Sequence, residues 1–419
     1  MNKFFVSIGL AAVGTASLHA AYTPEPIGNG DARSWDVSAT LRGFYDDNIN
    51  TASPGPNKKD SLGFEVSPTL EVAVPLQQTE MGLRYVYGLY YYQERQDAGQ
   101  NPVDQSHQLD LWLDHAFTTR WQFKGQDSFR VGQEPQLIDP TTSVPTRTSG
   151  NNFANTATMT LDTDWTRLFS TEVGYQNNFY DYQNSGGTAA NPSLAGILNR
   201  DENSLWLDLQ WHVLQQTMAF AGYRFTQINY TANEPIAAGY TSSSRDNRSH
   251  YFYVGAQQNF SANLTASGRV GVQYTDDYND NSSQTAPYVD VSATYTYLPG
   301  SYVQIGFTQQ QNATDVVAPD ASGKITQSQE SSTGFASINH KLNERLLASL
   351  IGRVQYSTYN DGAYNNQADT YYSMGFNLAY TISDHFSADA GYNFDYLDSG
   401  IAGREYHRNR VYLGVTASY

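Results

Sequence analysis

From position 34 to 419 apolar side chains recur at every second position, in segments separated by polar stretches. The clearest segment sets Leu62, Phe64, Val66, Pro68, Leu70, Val72 and Val74 on one face and Gly63, Glu65, Ser67, Thr69, Glu71 and Ala73 on the other, which is the two-residue period of a half-buried strand. Met81 to Tyr91, Leu205 to Val213, Val289 to Tyr297, Leu346 to Val354, Tyr372 to Tyr380 and Phe386 to Phe394 repeat it. Pro68 cannot donate to a ladder, so a bulge is expected there. The phase stays open near 218–228 and 333–339, and nothing reads as a long amphipathic helix.

The connections alternate between short (near 75–79, 118–120, 162–164, 214–216, 260–263, 298–301, 340–344 and 381–384) and long and polar (near 46–60, 95–106, 134–150, 181–202, 231–249, 276–285, 311–327, 357–367 and 397–406). Short turns at one end and long loops at the other predict an all-β fold, a transmembrane antiparallel up-and-down β-barrel of about 18 strands. If the apolar parity meets lipid, charges belong on the other parity. Arg42, Glu65, Glu71, Arg84, Asp110, Asp114, Arg130, Arg269 and Arg353 are there, as candidate pore-lining residues. Arg167 falls on the lipid parity beside a short turn, and Asp127 on it within a strand, which calls for a bulge or a change of phase. Trp35, Trp121, Trp165 and Trp211 share the lipid parity near the short-turn ends and are the candidate periplasmic aromatic girdle. A soluble sandwich explains alternation but not this placement.

The N-terminus changes the picture by adding an address. Lys3 followed by an apolar run over 4–13 and small residues at 14–17 reads as an export signal cleaved after Ala20. The expected organisation is therefore a signal peptide at 1–20, a short periplasmic segment at 21–33, too short for a folded plug, and an outer-membrane barrel at 34–419. The net charge of -17 excludes nucleic acid as a partner, and the absence of cysteine excludes disulfides and cysteine-based zinc sites.

Five short motifs carry a resemblance: Gly43-Phe44-Tyr45-Asp46-Asp47-Asn48-Ile49, Asp127-Ser128-Phe129 with Gln133-Glu134-Pro135, Pro287-Tyr288-Val289-Asp290, Tyr295 through Ser301, and Asn312-Ala313-Thr314-Asp315. With them the chain resembles the putative β-barrel porin 2 group of bacterial outer-membrane proteins. The resemblance implies an outer-membrane barrel, association with exopolysaccharide production, and no catalytic residues. The last strand, Val411, Leu413, Val415, Ala417 and Tyr419, resembles the C-terminal assembly signal of such barrels, with Tyr where Phe is more usual.

The expected function is a porin-like channel for passive passage of solutes or saccharides, with outer-membrane lipids, the barrel assembly machinery and polysaccharide export components as partners. A structural or adhesive barrel is the alternative, and an enzyme barrel a third class. For the last, no histidine has a serine and carboxylate at telling spacing. The lumenal charges either sort solutes by a transverse field or pair to hold the wall. Tyr90 and Tyr92 are candidate platforms for stacking sugar rings, with Tyr251, Tyr253, Tyr288 and Tyr371 in the same class, or else wall residues with hydrated hydroxyls. The loops at 134–150 and 181–202 are candidates to fold inward. The acidic run 276–281 lacks the glycine and final glutamate of an EF-hand, and no metal or cofactor is expected.

Overall fold

The computed structural model describes residues 34–134, 147, 150–280 and 282–419; the expected signal (1–20) and the segment at 21–33 lie outside the described residues. Strands whose two faces differ in polarity must cover the apolar one, and in a bilayer lipid does so, provided that every backbone group is paired within the sheet. The wall meets that condition with one sheet of 18 strands. They are β1 (Trp35–Asp46), β2 (Ser61–Pro75), β3 (Thr79–Tyr92), β4 (Val103–Ala116), β5 (Trp121–Gly132), β6 (Asn152–Asp164), β7 (Phe169–Asp181), β8 (Arg200–Leu214), β9 (Thr217–Tyr230), β12 (Asn247–Ser261), β13 (Leu264–Asp277), β14 (Ser282–Leu298), β15 (Ser301–Asn312), β16 (Ser328–Lys341), β17 (Leu346–Asn360), β18 (Ala368–Ser383), β19 (Phe386–Ser399) and β20 (Tyr406–Ser418). A small hairpin, β10 (Pro235–Ala237) and β11 (Tyr240–Thr241), lies in the loop after β9, and one-turn helices α1 (Gln93–Asp97) and α2 (Leu194–Leu198) lie in the loops after β3 and β7.

Each wall strand pairs antiparallel with its neighbour, and β1 pairs with both β2 and β20, which closes the ring. The closing seam runs from Ser38↔Ser418 to Asp46↔Arg410, and the Tyr419 N–H donates to the Val37 carbonyl at 2.9 Å beyond it. Burial is inverted relative to a water-soluble protein. Leu41, Leu413 and Val415 are 52, 67 and 51% exposed, whereas Asp208 and Asp389 on the opposite parity are 4% exposed.

Two expectations are corrected. No bulge forms at Pro68: the register of β2 against β3 is the same before and after it, Val66↔Leu89 and Thr69↔Val86, and only the rungs at Ser67 and Pro68 are lost. The Ser67 hydroxyl donates to the Tyr87 carbonyl at 3.0 Å and fills part of that gap. Asp127 needs neither bulge nor phase change, because β5 stays in register, with Asp127 opposite Leu111 and Ala157. It stands on the outer face and accepts a hydrogen bond from Asn155 Nδ2 at 2.6 Å, which lowers the cost of a carboxylate at a position where Asp is already less costly than Arg or Lys. The two segments of open phase resolve with Tyr223 and Ile338 outward, at 38 and 39% exposure.

On the inner face large aromatics stand directly opposite glycines: Phe44↔Gly63, Trp112↔Gly82, Trp206↔Gly174, Tyr253↔Gly222, Phe335↔Gly306 and Tyr412↔Gly391. In every pair the ring occupies the space where a Cβ on the glycine would go. Rings laid flat on the wall cover backbone without projecting into the lumen. Gly174→Val therefore drives the Trp206 ring off the wall at a cost of about 1–3 kcal/mol, measurable as a lower urea midpoint in detergent micelles. Gly352→Val, with nothing within 4 Å of its Cβ, leaves the midpoint in place.

Candidate functional site: the lumen and its external mouth

The inward parity delivers the candidate pore-lining side chains in two environments. In the external half they are consumed by one another. Arg42 donates to Asp389 at 2.8 Å and lies 3.6 Å from Glu65, Arg410 reaches the other Glu65 oxygen at 3.6 Å, and Arg408 donates to Asp46 at 2.6 Å and Glu134 at 3.1 Å. Arg147, on the loop after β5, meets Glu134 at 3.1 Å and pairs with Asp104, which Arg95 also holds at 2.9 Å. This chain of alternating charges ties that loop to β20, β1 and β4. Arg42, Glu65 and Arg353 are buried and present little to a passing solute.

Nearer the short turns the lumenal side chains are accessible among the described residues. Glu71, Arg84 and Asp110 are half-buried and Asp114 is exposed. Arg84 stands between Glu71 and Asp110 in register and makes no ion pair with either. Arg130 and Arg269 lie 3.9 and 3.8 Å from Asp110 and Asp290, loose pairs at half-buried positions. Tyr92 is 2% exposed. Arg95 and Arg147 lie 4.4 and 4.9 Å from its ring centre and Phe44 meets it edge-on at 5.4 Å, so its faces are occupied by protein. Tyr90 is half-buried, with its hydroxyl 3.4 Å from Glu65. Tyr251, Tyr253 and Tyr288 form a buried cluster with one another, and Tyr371 packs with Leu397 and Tyr406.

On the outer face Trp35, Trp121, Trp165 and Trp211 are 40–63% exposed at the short-turn ends. Trp121 and Trp165 contact edge-on at 5.9 Å, and Trp35 lies 5.8 Å from Tyr419. Val411, Leu413, Val415 and Tyr419 are exposed on the outer face of β20, with Ala417 on the same parity. Sequence spacing missed one serine–histidine contact, Ser170 Oγ to His212 Nε2 at 3.1 Å, but that hydroxyl donates to Gln210 at 3.0 Å. Among the described residues no group of three His, Cys, Asp or Glu is placed to hold a metal.

The external mouth is where loops converge. Arg245, between β11 and β12, is fully buried; its guanidinium donates to the carbonyls of Ile197 at 3.0 Å, Thr314 at 2.8 Å and Gln327 at 3.2 Å. Arg404, between β19 and β20, grips both oxygens of Asp315 at 3.1 and 3.2 Å and reaches Asp369 at 3.3 Å. Around the ring the β9/β12 and β19/β20 boundaries are nearly opposite, with β12 to β19 between them on one side and β20 and β1 to β9 on the other. Two arginines from opposite sides therefore hold consecutive residues, Thr314 and Asp315, and the loop 313–327 crosses the mouth. Ile197, Leu198, Ile236, Ala237 and Ile325 from three loops share an apolar cluster beneath it with Tyr180 and Tyr182. The loop at 181–202 takes part in this closure. Of the loop at 134–150, residues 135–146, 148 and 149 lie outside the described residues.

Glu234 clamps two of these loops. Its carboxylate accepts from the Ser193 hydroxyl at 2.5 Å and from the Gly186 and Gly187 N–H groups at 3.0 and 3.1 Å, and these bonds, the hydroxyl first, hold its pKa below the ordinary value. A lowered pKa means that the clamp is complete above the ordinary carboxylate range and is lost as pH falls through the lowered value. The protection factors of the amides in 186–198, exchange rates corrected for their intrinsic pH dependence, are expected to stay constant from pH 7 down to about pH 5 and to fall below about pH 4. Glu234→Gln abolishes that step.

Comparison with known proteins adds the following. The family described as Putative beta-barrel porin 2 matches residues 36–419. No curated protein matches the chain. Among solved structures, OccAB4 of Acinetobacter baumannii is similar at 10% identity and a TM-score of 0.45, over 92% of this chain and 99% of that one. The outer membrane protein opdK of Pseudomonas aeruginosa is similar at 8% and 0.44, over 92% and 99%. A mutant of the ferric enterobactin receptor PfeA of Pseudomonas aeruginosa is similar at 10% and 0.43, over 91% and 80%.

Proposed function

Since the chain belongs to the putative β-barrel porin 2 family and is an outer-membrane channel barrel rather than an enzyme, we propose that it passes small hydrophilic solutes passively, favouring cations and neutral sugars over anions. The observation that carries this reading is the asymmetry of the open half of the lumen. On β2 to β7 the inward positions toward the short turns hold Glu71, Glu80, Asp114, Asp162, Asp164 and Glu172. The basic groups among them are Lys124, 3.0 Å from Asp162, and Arg84, opposite Glu71 in register. The facing wall of β14 to β18 carries Thr294, Gln304, Ser337, Ser349 and Asn377 at the corresponding inward positions, with a single charge, Lys341, at the short-turn end of β16. One wall has an excess of carboxylates that attracts cations, and the other offers mainly uncharged hydrogen-bonding groups, as neutral polyols require.

Export of exopolysaccharide, with partners from an export apparatus, extends the same channel to a polymer. An extended polymer requires the 313–327 crossing to move aside, and this favours small solutes as the resting cargo. Single-channel recording in a planar bilayer under a KCl gradient tests the proposal: the expected reversal potential is of the cation-selective sign. Anion selectivity would contradict it, and a folded barrel with no conductance would favour the structural or adhesive alternative.

A further inference from the structure

Asp127 puts a carboxylate where the wall meets lipid. It stands outward on β5, six residues above Trp121, which at a tilt of about 40° is about 16 Å up an apolar band roughly 25 Å tall. Phe123 is outward below it on the same strand and Phe129 above it. Asn155 Nδ2 donates to its Oδ1 at 2.6 Å, and no donor among the described residues reaches Oδ2. The polarity continues sideways. The rung through Asp127 runs on to Ala157, Asn177 and Asn203 on β6, β7 and β8, and the Tyr175 hydroxyl donates to Asn203 Oδ1 at 2.6 Å. Such a row climbs by about 3 Å per strand at this tilt, so it starts inside the band at Asp127 and leaves it near Asn203. Above it Phe129, Phe153 and Phe179 meet edge-on at 4.7 and 5.7 Å.

Acyl chains, lipid headgroups and another barrel are the neighbours open to this face. Acyl chains carry no donor for a carboxylate. Anionic headgroups need cations, and among the described residues no Lys or Arg stands outward on β5 to β8. A second copy of the chain enters the membrane the same way up, so a contact between copies joins residues of equal depth. Tyr175 on β7 is six residues above Phe169 at the short turn, as Asp127 is above Trp121, and it is 40% exposed. Ala157 lies between them on β6, and its small side chain lets two walls approach closely.

We propose that the outer face of β5 to β7 is the contact between two copies of this chain, related by a two-fold axis along the membrane normal over Ala157. Each Asp127 keeps its bond from Asn155 and gains one at Oδ2 from the partner's Tyr175. The Tyr175 hydroxyl thereby exchanges a neutral acceptor, Asn203, for a charged one, which makes the stronger bond. Asn203 Oδ1 retains the bond from Asn177 Nδ2 at 3.1 Å. The patch is self-complementary, as a two-fold contact requires, because each copy offers both the carboxylate and the hydroxyl.

The chain has no native cysteine, so single cysteines in the full chain, oxidised in its membrane with copper-phenanthroline, report the contact. Ala157→Cys lies at the axis, and Met159→Cys, outward on the same strand and 50% exposed, repeats the measurement should the first variant fail to fold. Leu350→Cys, outward on β17 across the ring and 41% exposed, is the control. Heat-modified mobility confirms that each variant is folded. The expected result is a disulfide-linked species of twice the mass at the β6 positions and none at Leu350→Cys. Adding Asp127→Leu or Tyr175→Phe is expected to lower its yield several-fold. Equal yields on β6 and β17, a yield that neither added substitution lowers, or an adduct of any other mass overturns the proposal.

Discussion

The bilayer core offers no water to a backbone N–H or C=O, so a sheet that enters it must leave no edge there. The seam between β1 and β20 meets this constraint, and the rest of the molecule follows from it. Nine rungs from Ser38↔Ser418 to Asp46↔Arg410 join the first strand to the last, and Tyr419 bonds Val37 past the end of β20. Once the ring is closed, the two parities of every strand face different solvents, which is why apolar side chains are exposed and carboxylates buried. The aromatic–glycine pairs answer a second demand of the same geometry. An inner wall must be covered without being filled, and a ring lying over a glycine does that.

The external end obeys a different logic. There the side chains of the inner parity are spent on ion pairs and on holding loops, and Arg245 and Arg404 bring opposite sides of the ring to Thr314 and Asp315. Among the described residues the barrel is thus accessible toward the short turns and crossed at the far end. Among the described residues the lumenal carboxylates with least burial lie toward the short turns, mainly on β2 to β7. The far end is crossed by a loop, and the loss of rungs between β14 and β15 beyond Val289↔Gln309 is the geometric consequence of the strand that feeds that loop leaving the wall.

Most of the wall was legible in the sequence because one physical cause, the two-residue period, sets both polarity and strand direction. Leu62 to Val74, Leu205 to Val213 and Leu346 to Val354 read directly, and so did the count of 18 strands from alternating connections. Pro68 and Asp127 were misjudged for opposite reasons. A proline can drop rungs without shifting register, and a carboxylate can stay on the outer face when a neighbour such as Asn155 bonds it. The mouth was not legible, since loop residues have no period and Arg245 bonds carbonyls, which carry no sequence signature. Three of the motifs that carried the family resemblance nevertheless mark it: Asp46 within 43–49 holds Arg408, Glu134 holds Arg147 and Arg408, and 312–315 is the crossing itself. For the nine pore-lining candidates, parity gave the face but not the depth, and depth decides that Arg84 and Asp114 meet solvent while Arg42, Glu65 and Arg353 do not.

The central claim is that adjacent residues of one strand face lipid and water in turn around a closed wall. Spin labels at Leu413→Cys and at its neighbour Tyr412→Cys, in the barrel reconstituted into lipid bilayers, test it most directly by their collision rates with oxygen and with a water-soluble nickel chelate. Leu413→Cys is predicted to collide chiefly with oxygen, and Tyr412→Cys to be shielded from it and more accessible to the chelate. Equal oxygen accessibility at the two positions, or the reverse order, would contradict a barrel with its apolar parity in the membrane.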